Sequence, residues 1–488
     1  MGVAPTDSEA GWRAAQRLAH RLEATCNTPL TPTNRPLTHN PGTPLVLQFS
    51  LTPWCMRFPV RAVHMNRAMA AVSSQATTPP ALALDVPPTT TPPVPLLVQV
   101  VAGNPATSAG VLLCLDTYDA TILRQLHPVL MQTVAGVPWC DMNAAILDVR
   151  RWRAALPAAV GAWVAPQLRL DEPALLAGLT SLDVGGCGTV TDAVIQRLSP
   201  TLRHLDVAGC RNLTAAASFT HLRALTSLDC SYTAALDAGL GRLPPSLQVL
   251  AMDYSKVGKP PQLAASFYHL PALRVLSWQS AGLCDACAAT LPPALQELNI
   301  SNSRESVRTM SLAHLPRLRV VRAHCTSITD AAVAALPASL EELDVERCYE
   351  ITPAVSFTHL RALRALCAVH TRFGDASLAS LPPSLVTLDV SHCKQLSPAA
   401  TLPGLPALQE LGACNTGIGD AFVASLPPCV TSLRIANCIN ISPAADVRHL
   451  TALRELQCSG THLPPSEVAA LRARVLCTRR VGAASGSN

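Results

Sequence analysis

The sequence predicts an α/β solenoid: a curved parallel sheet on the concave face, short helices and irregular returns on the convex face, a disordered N-terminal region and a small mixed cap. Three observations predict it. A nine-residue pattern returns at a nearly constant interval, its units alternate between two kinds, and the composition suits thin identical layers. The 488 residues are 49% hydrophobic but only 4% aromatic and 14% charged, so the interior must be built from Leu, Ala and Val. A chain this long forms two or three ordinary domains, or one domain grown by repetition.

The pattern is Leu-x-x-Leu-x-(apolar)-x-x-(Cys/Thr). Its first position falls at Leu179, Leu202, Leu225, Leu247, Leu273, Leu295, Leu318, Leu340, Leu363, Leu385, Leu408, Val430 and Leu453. Successive spacings are 23, 23, 22, 26, 22, 23, 22, 23, 22, 23, 22 and 23 residues. One strand and one returning segment per unit fit this period. Five residues beyond the second Leu, one kind of unit carries Cys187, Cys210, Cys348, Cys393 and Cys438, and the other carries Thr233, Thr326, Thr371, Thr416 and Thr461. A small donor there can bond the backbone carbonyl of the neighbouring turn, so these Cys read as a structural ladder of reduced thiols.

The returns differ in the same alternation. After Thr-type strands, stretches such as 330–336 and 375–381 open on an Asp suited to capping and continue in Ala and Leu, predicting one or two helical turns. Leu-Pro-Pro at 243–245, 291–293, 381–383 and 426–428 ends each helix and aims the chain into the next strand. Elsewhere the return reads Ser-Phe-Thr-His-Leu-Arg-Ala-Leu, at 218–225 and 356–363. His221, His269, His314, His359 and His449 recur before its Leu, which favours a structural His bonding a backbone group.

Four regions follow: 1–94, Pro/Thr-rich and disordered; 95–178, a mixed α/β cap or degenerate F-box-like segment; 179–477, a solenoid of about 13 repeats; and 478–488, a disordered tail. Within the first, Thr77 to Pro95 holds seven Pro in nineteen residues, the composition of a semi-extended linker. The opening Met1-Gly2-Val3-Ala4-Pro5-Thr6 matches the N-myristoylation pattern at Gly2, which alone gives weak membrane attachment. Between Glu23 and Asp85 there is no acidic residue while Arg35, Arg57, Arg61 and Arg67 are present, as in an organellar transit peptide. Helices are expected around 119–133 and 143–156. The longest uncharged apolar run before the repeats, Pro95 to Leu115, contains Gln99, Gly103, Asn104 and Pro105, so no transmembrane span is expected.

Units such as Leu202-Arg-His-Leu-Asp-Val-Ala-Gly-Cys210 resemble the cysteine-containing type of the leucine-rich-repeat superfamily, and the Leu-Pro-Pro-Ser-Leu joints at 243–247 and 381–385 are similar to its bacterial type. Their alternation, in an Arg-rich composition, resembles the leucine-rich-repeat proteins of kinetoplastids. The resemblance spans roughly 179–477. It implies a protein-binding role through the concave strands or an adjoining edge, with no implication for the partner. Residues 122–130 and 149–156, ending in Trp152-Arg153, resemble the F-box, although the leading Leu-Pro is missing and 137–140 interrupts the spacing. Placed before the repeats, such a module implies a substrate receptor of an SCF-type ubiquitin ligase.

The expected working face is the concave sheet, because residues on either side of each second Leu point away from the core. One column runs through Asp183, Asp206, Asp229, Ala251, Ser277, Asn299, Arg322, Asp344, Cys367, Asp389, Gly412, Arg434 and Gln457, acidic at its N-terminal end. Thirteen strands ~4.8 Å apart present an arc of roughly 60 Å. The partner-binding residues expected on it are Asp183, Asp206, Asp229, Tyr232, Asp253, Tyr254, Arg322, Asp344, Arg347, His370, Asp389, His392 and Arg434. Tyr232 and Tyr254 share a lateral position and are the expected anchors, since rings dominate binding hot spots, whereas Trp278 falls in a core slot.

Other chemistries find little support. Net charge is +5 without a clustered basic patch, so no specific nucleic acid is expected. His370 and His392 lie near Cys367 and Cys414, but a solvated polar face is favoured over zinc. Cys284-Asp-Ala-Cys287 lacks the second pair of a metal or redox motif. There is no phosphate loop, dinucleotide fingerprint, Gly-x-Ser-x-Gly or His-Glu-x-x-His. The expectation is a cytoplasmic, non-catalytic scaffold for a protein partner, with no cofactor, metal or small-molecule substrate. Mitochondrial or nuclear placement and an organellar assembly factor are the alternatives.

Overall fold

A computed structural model describes residues 120, 124, 127–170, 172–236, 240–255, 266–280, 285–303, 310–466 and 468–469. All lie in one compact unit, Asn104–Asn488. Gly2, the 1–94 region, Cys284 and the 478–488 tail lie outside the described residues.

Fifteen parallel strands form one sheet in chain order, with no crossover. Cys140–Ile146 (β1) and Gly161–Val164 (β2) precede thirteen three-residue strands, from Ser181–Asp183 (β3) to Glu455–Gln457 (β15). Alternation explains each strand. The second Leu points inward and is almost fully buried from Leu182 to Leu433, while its neighbours on either side point out. Register keeps Leu182, Leu205, Leu228, Leu250, Leu276, Leu298 and onward side by side, so each unit adds one layer to a continuous apolar spine. Burying each such Leu is worth about 1.5–3 kcal/mol. On the return side Phe219, Phe267 and Phe357, together with Leu312, fill the corresponding slots with 0% exposure.

The short helices fall where Asp precedes Ala and Leu: Asp192–Gln196, Asp285–Ala288, Asp330–Ala334, Asp375–Ala379 and Asp420–Ala424. Their Asp does not cap its own helix. It is the first helical residue, and at Asp192, Asp330, Asp375 and Asp420 it reaches forward about one repeat. Asp330 Oδ1 accepts from Thr352 N at 2.9 Å and its other oxygen from the Thr352 hydroxyl; Asp375 takes Ser397 N at 2.9 Å and its hydroxyl, and Asp420 takes Ser442 N at 2.7 Å and its hydroxyl. Asp192 does the same with Thr214. The carboxylate therefore staples two units instead of closing one turn.

The Cys/Thr ladder divides its labour. Cys348 Sγ donates to Ala323 O at 3.0 Å, Cys393 to Ala368 O at 3.1 Å and Cys438 to Ala413 O at 3.0 Å, each reaching back one repeat. The Thr hydroxyls instead close their own turns, Thr326 Oγ1 donating to the same Ala323 O at 2.7 Å and Thr371 to Ala368 O at 2.7 Å. One carbonyl thus serves both donors. Of the recurring His, His269 and His449 bond carbonyls, His314 is exposed, and His221 and His359 bury an Nε2 without a partner.

At the N-terminal end the sheet begins 39 residues before the first counted Leu, at Cys140 against Leu179. The expected helix over 143–156 is a strand followed by Val149–Ala155, a short helix capped by Asp148, whose Oδ1 accepts from Arg151 N at 3.0 Å. Pro128–Gly136 is the helix before it. The F-box-like stretch is therefore split by a strand of the sheet. Its Trp152 is buried, and Arg153 donates to Leu175 O at 2.7 Å, Ala159 O at 3.0 Å, Ala177 O at 3.1 Å and Pro157 O at 3.3 Å. The Arg153 guanidinium thus ties this helix to the segment 157–177, just ahead of the first counted Leu.

Candidate functional site

The outward face of the sheet is built from side chains that the spine cannot absorb. Asp183, Asp206 and Asp229 stand in register on adjacent strands. Each turns one oxygen onto the chain two residues ahead, at Gly185 N, Ala208 N and Ser231 N (2.8, 2.8 and 2.9 Å), and Asp344 and Asp389 do likewise at 3.0 and 2.9 Å. The column therefore ends the strands as well as charging the face.

Three residues beyond those carboxylates lies a feature that the sequence pattern only half reveals. The position four after the second Leu adopts positive φ in every described turn, from Gly186 (74°) and Gly209 (69°) through Tyr232 (60°), Tyr254 (59°), Arg347 (56°), His370 (58°) and His392 (64°) to Gly460 (76°). Its N–H reaches into the next repeat, Tyr232 N to Asp253 O and His370 N to Ser391 O, which carries the ladder past the strand ends. Gly, Asn and His tolerate this left-handed geometry, whereas Tyr pays about 1–2 kcal/mol for it. The Gly-Gly-x-x-Ser-Asn-x-x-His-His-Asn-Asn-Gly run of this column was the available signal.

Tyr232 and Tyr254 stack with ring centroids 4.3 Å apart and stay 59% and 49% exposed. Burial, the hydroxyl of Tyr254 and the charge of Asp253 hold the Tyr232 phenol above its usual range. Asp253 accepts from Ser277 Oγ at 2.8 Å, Gln279 N at 2.7 Å and Gln279 Nε2 at 3.1 Å. Burial raises its carboxyl in spite of those donors. Ser231, absent from the expected site, ties this patch together by accepting from Asp253 N at 3.1 Å.

The C-terminal half of the face pairs its charges internally. Arg434 Nη2 reaches Asp389 Oδ2 at 2.8 Å across two strands, passing over Gly412, where a Cβ would stand 2.6 Å from that carboxyl. Arg322 lies 3.9 Å from both Glu297 and Glu342, Arg347 3.6 Å from Glu346, and His324 3.7 Å from Asp344. His370 and His392 stack at 4.0 Å. Burial first, then the His370 ring, lowers the His392 pKa. Cys367 is pushed up to about 12 by burial. Among the described residues no group of three or more His, Cys, Asp or Glu is placed to hold a metal ion, and no helix is long and apolar enough to cross a membrane.

No protein-family model matches the chain, and no curated protein matches it. Solved structures do. An internalin of Listeria monocytogenes is 16% identical, over 73% of this chain and 91% of that one, with a TM-score of 0.39. A leucine-rich-repeat protein of Leptospira interrogans is 15% identical, over 71% and 95%, with a TM-score of 0.46. Toll of Drosophila, solved in complex with Spatzle, is 15% identical, over 66% of this chain but 46% of that one, with a TM-score of 0.47. The assignment of fold rests on the register itself. With one Leu-Leu-apolar layer per strand, fifteen parallel strands in chain order and returns that carry the short helices, the chain folds as a leucine-rich-repeat solenoid.

Proposed function

We propose that the chain is a non-catalytic scaffold that binds a protein partner across the outward face of its sheet. The observation that carries this reading is the exposed Tyr232–Tyr254 stack, held on a strained backbone among in-register carboxylates. Two large rings left in water on a rigid ladder cost stability, and they give a partner preorganised apolar area at little entropic cost. The columns beside them repeat at one strand spacing, which suits many modest contacts along an extended surface. We take the cytoplasm as its compartment, because Sγ–H donors such as Cys348 and Cys393 require reduced thiols.

Photo-crosslinking tests the docking face. A benzoylphenylalanine placed at Thr387 or Ser227 on the sheet face is expected to yield a discrete protein adduct in cells of the source organism, and one at Arg361 on a return is expected to yield none. Equal adducts from both sides, or none from the face, sink the reading.

A further inference from the structure

We propose that the preferred occupant of this face is an extended polypeptide segment presenting arginine, whose guanidinium packs on the Tyr232–Tyr254 stack and forks to Asp229. The proposal rests on the docking reading above and adds the chemistry of the ligand. Two independent observations lead to it: the nature of the exposed rings and the distribution of charge along the face.

The rings come first. At the left-handed position other units place Gly, Ser, Asn, Cys, Arg or His, and only here do two adjacent units place Tyr. Their mutual stack leaves outer ring surface in water, with the centroids 4.3 Å apart. A planar cation is the ligand group that gains most from such a surface, and guanidinium is less strongly hydrated than ammonium, so its desolvation costs less.

Charge is the second observation. The outward positions of the described residues from Ser181 to Asn302 carry Asp183, Asp206, Asp229, Asp253 and Glu297 against His204, and the exposed Arg203 and Arg274 each stand one residue ahead of a strand, which leaves the carboxylates in excess. From Val320 onward the face does hold Arg, and Arg322, Arg347 and Arg434 each lie against carboxylates of the same face. The half around the tyrosines is therefore net acidic by side-chain count, with Asp229 and Asp253 next to the rings. At Asp229, Oδ1 is taken by Ser231 N, and Oδ2 is left to accept from a ligand. A basic segment complements this half, whereas an acidic segment or a nucleic-acid backbone is repelled.

Fluorescence anisotropy on the full-length chain tests the assignment, with four fluorescein-labelled octapeptides of alternating Gly and X, where X is Arg, Lys, Ser or Glu. The Arg peptide is expected to bind tightest, followed by Lys, with Ser and Glu weakest. Tyr232→Asn with Tyr254→Asn is expected to weaken the Arg peptide about tenfold, as loss of a partly desolvated cation–π contact does. Asp229→Asn is expected to weaken it and flatten its salt dependence, while Arg361→Ala on a return leaves it unchanged. Asn is at home in left-handed backbone, so an unchanged melting temperature certifies the Tyr variant as folded, and Tyr232→Phe with Tyr254→Phe is expected to keep the affinity. Equal binding of Arg and Ser peptides, preference for the Glu peptide, or full Arg affinity in the double Asn variant overturns the proposal. If the Arg peptide fails while crosslinking from Thr387 and Ser227 still yields the adduct, the ligand chemistry falls and the docking face stands; if both fail, both fall.

Discussion

At the residue scale the turn after each strand sets the terms. Replacing Tyr232 by Asn relieves about 1–2 kcal/mol of left-handed backbone but forfeits about 0.5–1.5 kcal/mol of ring stacking. The two nearly cancel, so denaturant unfolding of Tyr232→Asn is expected to stay within about 1 kcal/mol of the parent. A loss of several kcal/mol would show that the rings serve the core. Gly412 works in the opposite way, since its missing Cβ leaves room for the Asp389–Arg434 bridge. Gly412→Ala is expected to cost about 0.5–1 kcal/mol by displacing that half-exposed pair. A double-mutant cycle with Arg434→Ala checks the cause, because additive effects would mean that the methyl acts elsewhere.

At the element scale the ladders between units matter more than any single helix. The return helices from Asp192 onward are four or five residues long and could not stand alone. Asp375 anchors one of them to the next repeat through both the amide and the hydroxyl of Ser397. Asp375→Ala leaves those donors unpaired in a half-buried place, and an expected loss of about 1–3 kcal/mol is measurable by chemical denaturation. The thiol ladder makes a pH-dependent contribution. Burial raises Cys187 and Cys348 to about 11 and Cys210 to about 12. A folded pKa above the unfolded value of about 8.5 favours the native state while the thiol stays protonated. That stability is complete below the unfolded value and is lost as pH rises toward 11 to 12. Melting temperature is accordingly expected to fall above about pH 9, less steeply in Cys210→Ala with Cys348→Ala. Native iodoacetamide labelling at neutral pH is expected to reach the exposed Cys140 and to spare Cys187, Cys210 and Cys348.

At the scale of the whole molecule, a solenoid is bound together by neighbours alone, so damage should stay local. Arg153 joins four carbonyls between residues 157 and 177, just ahead of the first repeat. Its replacement by Ala is expected to raise hydrogen exchange across 140–183 while 340–460 keeps its protection. Uniform acceleration along the chain would instead mark one cooperative unit. The same logic places function on the sheet. Many polar groups of the returns bond one another, and the outward columns retain exposed rings and, in the N-terminal half, a net acidic charge.

Repetition made much of this legible without coordinates. A strict interval between Leu pairs dictates one inward layer per unit, because strand side chains alternate and only stacking buries the apolar set; the columns from Asp183 to Gln457 and the core slot of Trp278 follow from that rule. Adjacency of Tyr232 with Tyr254 and of His370 with His392 follows as well. Tertiary structure decided what the pattern leaves free. Whether Asp330 caps its own helix or grips Thr352, whether Thr326 bonds its own turn or the next, and whether 140–146 joins the sheet all depend on how a short side chain or an irregular segment meets the neighbouring unit. Such choices hinge on distances of an ångström between residues some 20 positions apart, and hydrophobic spacing carries no record of them.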